Sequence, residues 1–303
     1  MPLTTLCPAK LNLGLRVLRR RADGYHDLDT VFVQVVLADR LTFHPSDQRA
    51  SLETLGSSMD CPPARNLVLR AVSAYAQEFG RPVGGHWVLE KRIPLAAGLG
   101  GGSSDAAAAL RILQRWCDGP LRADALHRIA AAIGADVPFF LAGGLARGEG
   151  RGEILRPLAW PGDFWVVLVT QKQGLSTREV FLGLEGKLTR RPQASTVLDH
   201  TGPCALVDGE ARVLENDLSG PAFHMMPRLA GILERFRSAG LAAVGLSGSG
   251  PTIYGIARDP TLVRRAARHL RGEGWAASVT RFRGQVPRVM GARTVQAWGV
   301  VKR

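Results

Sequence analysis

The stretch PLAAGLGGGSSDAAAAL, residues 94–110, decides how the chain is read. Gly98 and Gly100 to Gly102 crowd around one leucine, two serines and an aspartate follow, and then come alanines. Each glycine costs roughly 0.5–1 kcal/mol relative to alanine in regular structure, so the backbone here needs a freedom that side chains deny. Before it, HWVLEKRI (residues 86–93) reads as a strand; after it, residues 105–116 are rich in alanine and leucine, strong helix formers. A helix starting near Ser103 has unpaired N–H groups and a partial positive charge at its first turn. Glycines ahead of it let backbone N–H groups close on a ligand. Ser103 or Ser104 would cap the helix, and either hydroxyl is in place for a phosphate oxygen. Together these features describe an anion cradle. Two familiar cradles do not fit: no Lys-Ser/Thr follows Gly102, as a Walker loop requires, and the spacing is not G-x-G-x-x-G.

The remaining composition is that of a globular protein, 303 residues with 46% hydrophobic and 21% charged, for which two domains is the expectation. No apolar run reaches the ~20 residues of a membrane helix. The opening residues lack a basic, then apolar leader, and Cys7, Cys61, Cys117 and Cys204 are widely spaced, so a cytoplasmic setting without disulfide or zinc scaffold is expected. The net charge of +13 suits a polyanionic or phosphorylated partner, but no aromatic side chains interleave with the arginines as in a nucleic-acid platform, which makes nucleic acid an unlikely partner.

Strand patterns at PAKLNLGLRVL, TVFVQVVLADRLTF and ASLETL precede a helix over residues 64–79 that uses Leu67, Ala71 and Ala74 as its inner face. A helix stopped by Gly134, a buried strand FWVVLVT, a helix in MMPRLAGILERFRSAG, a glycine turn between strands in LAAVGLSGSGPTIYGIA, and a final helix and strand follow. Residues 183–211 read as a polar excursion, and the tail from Arg283 as poorly ordered. The class is α+β, with domains over residues 1–160 and 161–303.

In order and spacing, PAKLNLGL, the glycine stretch and GLSGSGPT resemble the three signature motifs of the GHMP small-molecule kinases. GYHDLDTVF (residues 24–32), GADVPFF (134–140), LSTREVF (175–181) and ENDL (215–218) are similar to one branch, which acts on a cytidylyl-linked methylerythritol. The resemblance implies an N-terminal domain with a left-handed βαβ crossover, a ferredoxin-like C-terminal domain, and transfer of the ATP γ-phosphoryl group with Mg2+. It implies Asp136 as the base or orienting carboxylate and Lys10 as its cationic partner. Pro94, Gly98, Gly100, Gly101, Gly102, Ser103 and Ser104 would hold the phosphates. Asn66 is either an adenine contact or a helix N-cap. Asn12, Tyr25, His26 and Phe181 would bind the cytidylyl substrate, with Phe181 closing a stack on the base. No set of magnesium ligands is singled out. The competing readings are another GHMP kinase with a different small alcohol, and a nucleic-acid-binding protein anchored by its basic tail.

Overall fold

The computed structural model describes residues 1–56, 62, 65–160, 162–184 and 212–291. Two long strands open the chain, β1 (Leu3–Arg20) and β2 (His26–Pro45), paired antiparallel across a turn with Gly24 at φ 83°. Next come β3 (Ser51–Leu55), α1 (Leu67–Phe79), β4 (Gly85–Glu90), α2 (Gly101–Trp116), α3 (Ala123–Ile133), α4 (Val137–Ala142), β5 (Leu145–Gly150) and β6 (Ile154–Pro157). These strands form one sheet in the order β3-β4-β2-β5-β6, with β1 on β2. The pair β3–β4 is parallel and crosses over through α1.

The second sheet is built from β7 (Trp165–Thr170), β8 (Arg212–Val213), β9 (Ala243–Leu246), β10 (Ile253–Ala257) and β11 (Ala276–Arg281). Its helices are α5 (Thr177–Leu182), α6 (Ser219–Met225), α7 (Arg228–Ser238) and α8 (Pro260–Gly272). The order β11-β7-β10-β9, all antiparallel, is the ferredoxin-like arrangement, and β8 extends its edge parallel to β9. Among the described residues no helix is long and apolar enough to cross a membrane.

A register shift in β1 between Pro8 and Lys10 sets what each face carries. Cys7 packs with the helices α1 and α2, whereas Ala9, Leu11 and Leu13 point into a core shared with the second sheet. Bulges re-aim side chains in this way. In that shared core Val31, Val33 and Val35 of β2 meet Val166, Leu168, Tyr254 and Ile256. Lys10 and Asn12 alternate with these apolar residues and occupy the other face, buried beneath a cleft.

Several expectations change. In α1 the inner face is Val68, Ala71, Val72 and Tyr75, rotated from the face expected. Helix α2 begins at Gly101, two residues early, because Gly100 takes a left-handed conformation at the N-cap. The helix expected over residues 225–240, ahead of Gly240, starts only at Arg228, with Pro227 at its N-cap separating it from α6, which was not expected. α4, α5, β5 and β6 carry no strong periodicity and were not expected. Residues 283–291 are ordered. Arg283 N–H donates to the Gln34 carbonyl at 2.8 Å, Thr4 and Met290 exchange backbone bonds, and the Thr5 hydroxyl donates to the Arg288 carbonyl. Most of the 183–211 excursion, residues 292–303, and two of the four cysteines (Cys61, Cys204) lie outside the described residues. Cys7 and Cys117 are free and buried.

Truncating Leu11, fully buried between the sheets, to alanine should cost about 2–5 kcal/mol in urea unfolding. One transition seen by all probes is expected, because the core joins both sheets.

Candidate active site

The glycine stretch is clamped at both ends. Just beyond β4, the Lys91 ammonium pairs with Asp39 of β2 and, at 2.8 Å, with Asp105 in the first turns of α2. All three are buried, and Asp39 also accepts the backbone N–H groups of Arg92 and Ile93. In between, Leu99 sinks into the shared core, and its carbonyl accepts the Lys10 N–H at 3.0 Å. Gly98 sits at φ 74°, and a Cβ there would lie 2.2 Å from the Ser247 carbonyl oxygen. The Ser247 hydroxyl donates to the Gly98 carbonyl at 2.9 Å, so the second glycine turn packs directly on the first. That turn is itself held by Asn216, whose amide donates to the Leu246 and Gly248 carbonyls. With α2 starting at Gly101, the N–H groups of Gly101, Gly102 and Ser103 have no partner within the helix.

Lys10 and Asp136 meet beside this loop. Asp136 stands at the entry to α4, following Gly134, and its carboxylate lies 3.6 Å from the Lys10 ammonium. Lys10 also donates to Asn12 Oδ1 at 2.6 Å and lies 5.6 Å from the Phe32 ring centre. Asn12 in turn donates to the Thr30 hydroxyl at 2.9 Å, and its carbonyl accepts the Tyr254 hydroxyl. A Cβ on Gly248 would come within 3.3 Å of both Lys10 Nζ and Asn12 Oδ1, so the second turn closes over the pair. Thus β1, α4 and the β9–β10 turn each supply one wall.

A cleft of about 1050 Å³ runs from the loop past this pair to an aromatic end. There His26 and Phe181 stack with ring centres 5.0 Å apart, and the Arg151 guanidinium lies 5.2 Å from the centre of the Tyr25 ring. Phe181 rests on His26 itself, so these two rings leave no gap for a base between them. Tyr25 is 57% exposed.

Of the residues singled out from sequence, Lys10, Asn12, Tyr25, His26, Pro94, Gly98, Gly100, Gly101, Gly102, Ser103, Asp136 and Phe181 all line the cleft. Ser104 and Asn66 do not. Ser104 is fully buried behind the loop, because the earlier helix start moves it to the fourth helical position, where its N–H bonds to the Gly100 carbonyl. The Asn66 side chain caps α1, accepting from the Val68 N–H at 2.9 Å. Arg20, Arg151, Thr177, Arg178 and Ser249 also line the cleft and were missed. Only the blocks LSTREVF and GLSGSG carried a signal for the last three.

Known proteins resemble this chain over most of its length. The GHMP kinases N terminal domain model matches residues 66–144, and the GHMP kinases C terminal model matches residues 208–276. The chain belongs to the GHMP kinases. It is similar to the 4-diphosphocytidyl-2-C-methyl-D-erythritol kinase of Thermus thermophilus, with 42% identity across 90% of this chain and 95% of that one. Against the enzyme of the same name from Shouchella clausii the identity is 36%, covering 92% and 95%. A crystal structure of 4-(cytidine 5'-diphospho)-2C-methyl-D-erythritol kinase superposes with a TM-score of 0.74 at 37% identity, covering 93% of this chain and all of that one.

The clamp has a measurable signature. Burial holds the Asp105 carboxyl up at about 7, against the opposing pull of the Lys91 ammonium. Burial alone would push the Lys91 ammonium down, but Asp105 and Asp39 more than offset this and hold it above its usual value. An Asp whose pKa is higher folded than unfolded holds its proton between the two values only in the folded chain. Stability from this group is therefore full below the unfolded value and is lost as pH rises through about 7. Thermal unfolding from pH 4.5 to 8 should show the wild type losing stability, relative to Asp105→Asn, by on the order of a few kcal/mol. Parallel curves would contradict the buried proton.

Proposed function

We propose that the chain transfers the γ-phosphoryl group of ATP to the 2-hydroxyl of 4-diphosphocytidyl-2-C-methyl-D-erythritol. The observation that carries this reading is the Lys10–Asp136 pair, 3.6 Å apart, lying in one cleft with a glycine-lined helix N-terminus. The names of the relatives supply the substrate; the geometry supports a role for each residue.

The ATP phosphates lie against the N–H groups of Gly101, Gly102 and Ser103, with the helix dipole favouring their charge. Gly98 and Gly100 allow the close approach. Among the described residues no group of three or more His, Cys, Asp or Glu side chains is placed to hold a metal. Magnesium would come as part of the MgATP substrate, on the nucleotide's phosphates, where it would offset their charge. The substrate hydroxyl sits beside Asp136. Its oxygen bonds to the γ-phosphorus while the bond to the bridging oxygen of ADP breaks, and its proton passes to the Asp136 carboxylate. Lys10 offsets charge building on the transferred group, and Asn12 holds Lys10 in line. The cytidine end meets Tyr25 and His26, and Arg151 behind the Tyr25 ring keeps that ring in place.

Asp136→Asn keeps the size and removes the acceptor. Its kcat should fall by about 10²–10⁴-fold, with ATP binding, followed by calorimetry, within about twofold of wild type. A variant that turns over at the wild-type rate would overturn the assignment of Asp136. Wild-type turnover of mevalonate or homoserine in place of the cytidylyl alcohol would overturn the substrate.

A further inference from the structure

We infer that Arg178 is a specificity-determining residue that binds the diphosphate of the cytidylyl substrate, and so distinguishes a nucleoside-diphosphate-linked alcohol from a bare one. The inference rests on the function proposed above.

Helix α5 is short but firmly set. The Ser176 side chain caps it by accepting the Glu179 N–H, Val180 is fully buried in the second domain, and the Thr177 hydroxyl bonds to the Ser249 hydroxyl at 2.9 Å. This fixes its rotation, so that Thr177, Arg178, Phe181 and Leu182 all line the cleft. The bond from Thr177 to Ser249 ties the helix to the glycine turn that also closes over Lys10. Arg178 and Phe181 are one turn apart, which puts neighbouring side chains about 5–6 Å apart at their Cβ atoms. Phe181 stacks on His26, so Arg178 is the cation on that wall next to the aromatic end.

The other charges of the cleft have partners. Lys10 faces Asp136 and Asn12. Lys91 is closed between two carboxylates. Arg151 lies on the Tyr25 ring, 3.5 Å from Glu153, and donates to the Ala131 carbonyl. Arg20 has an interaction of its own, and Asp23 pairs with Arg21 at 3.1 Å. Among the described residues Arg178 alone of the cleft arginines has no hydrogen bond, ion pair or ring contact. An exposed guanidinium without a partner, aimed into a cleft, presents a planar fork that matches phosphate oxygens two at a time.

The substrate chemistry supplies the complement. With cytosine at the aromatic end and the alcohol at Asp136, the two linking phosphates lie between, along the wall to which α5 contributes. ATP's own phosphates are served by the glycine loop at the start of α2. A diphosphate with no cation beside it would lose hydration without compensation.

The test compares wild type, Arg178→Ala and Arg178→Lys. Steady-state kinetics give KM for the cytidylyl alcohol and for ATP, and calorimetry gives the affinities of CDP and of cytidine. For the alanine variant the KM for the cytidylyl alcohol should rise about tenfold or more, with ATP KM and kcat little changed. CDP affinity should fall by a similar factor while cytidine affinity holds, and lysine should restore part of the loss. An unchanged KM for the alcohol would overturn the inference. So would a rise confined to ATP, which would assign Arg178 to the nucleotide's phosphates, or an equal loss for CDP and cytidine, which would mean that α5 had shifted. If the wild type does not turn over the cytidylyl alcohol, the proposed function fails, while the CDP-versus-cytidine comparison still decides the role of Arg178.

Discussion

The Lys91 ammonium, shut between the carboxyl groups of Asp39 and Asp105, fixes both ends of the glycine loop. Three buried ionisable groups with one positive charge cannot all stay ionised cheaply, and the Asp105 carboxyl, raised to about 7, takes up a proton as pH falls below that value. What the arrangement provides is position. β4 ends and α2 begins at fixed points, so residues 94–100 must cross the gap on one path, with Leu99 in the shared core and Gly98 against Ser247. The open N–H groups of α2 then face the cleft rather than the core.

Everything placed around that cleft follows from one frame. The register shift in β1 puts Ala9, Leu11 and Leu13 between the sheets and leaves Lys10 and Asn12 on the opposite face. The second sheet returns the β9–β10 turn over Lys10, and Asn216 ties that turn back to β1 through the Leu15 pairing. Hydrophobic burial between the sheets thus determines how closely the two glycine turns approach. The cleft belongs to both domains, and neither alone presents the Lys10–Asp136 pair together with its lid.

Much of this was legible in the sequence because the signals are local. The long strands, the glycine loop ahead of α2 and the second glycine turn declare themselves within a few residues, whereas β5 and β6 do not. Lys10 and Asp136 were reached through motifs, since a lysine in a strand and an aspartate in a turn say nothing by themselves. What could not be read depends on distant partners. Residues 283–291 have no periodicity and take their order from Gln34, Thr4 and Thr5. Ser104 looked like a cap until the left-handed Gly100 moved the helix start. An aspartate in the first turns of a helix is favoured by the dipole in any case, so nothing local pointed to the pairing of Asp105 with Lys91. Arg178 was hidden for the same reason, because its importance lies in what the other arginines are already doing.

The most direct measurement is phosphorus NMR of the products after incubation with ATP, magnesium and 4-diphosphocytidyl-2-C-methyl-D-erythritol. The account predicts a new phosphomonoester on the tertiary carbon, formed in equal amount to ADP, with the cytidine diphosphate linkage intact. ADP with only inorganic phosphate, or a phosphoryl group on a different hydroxyl, would contradict it.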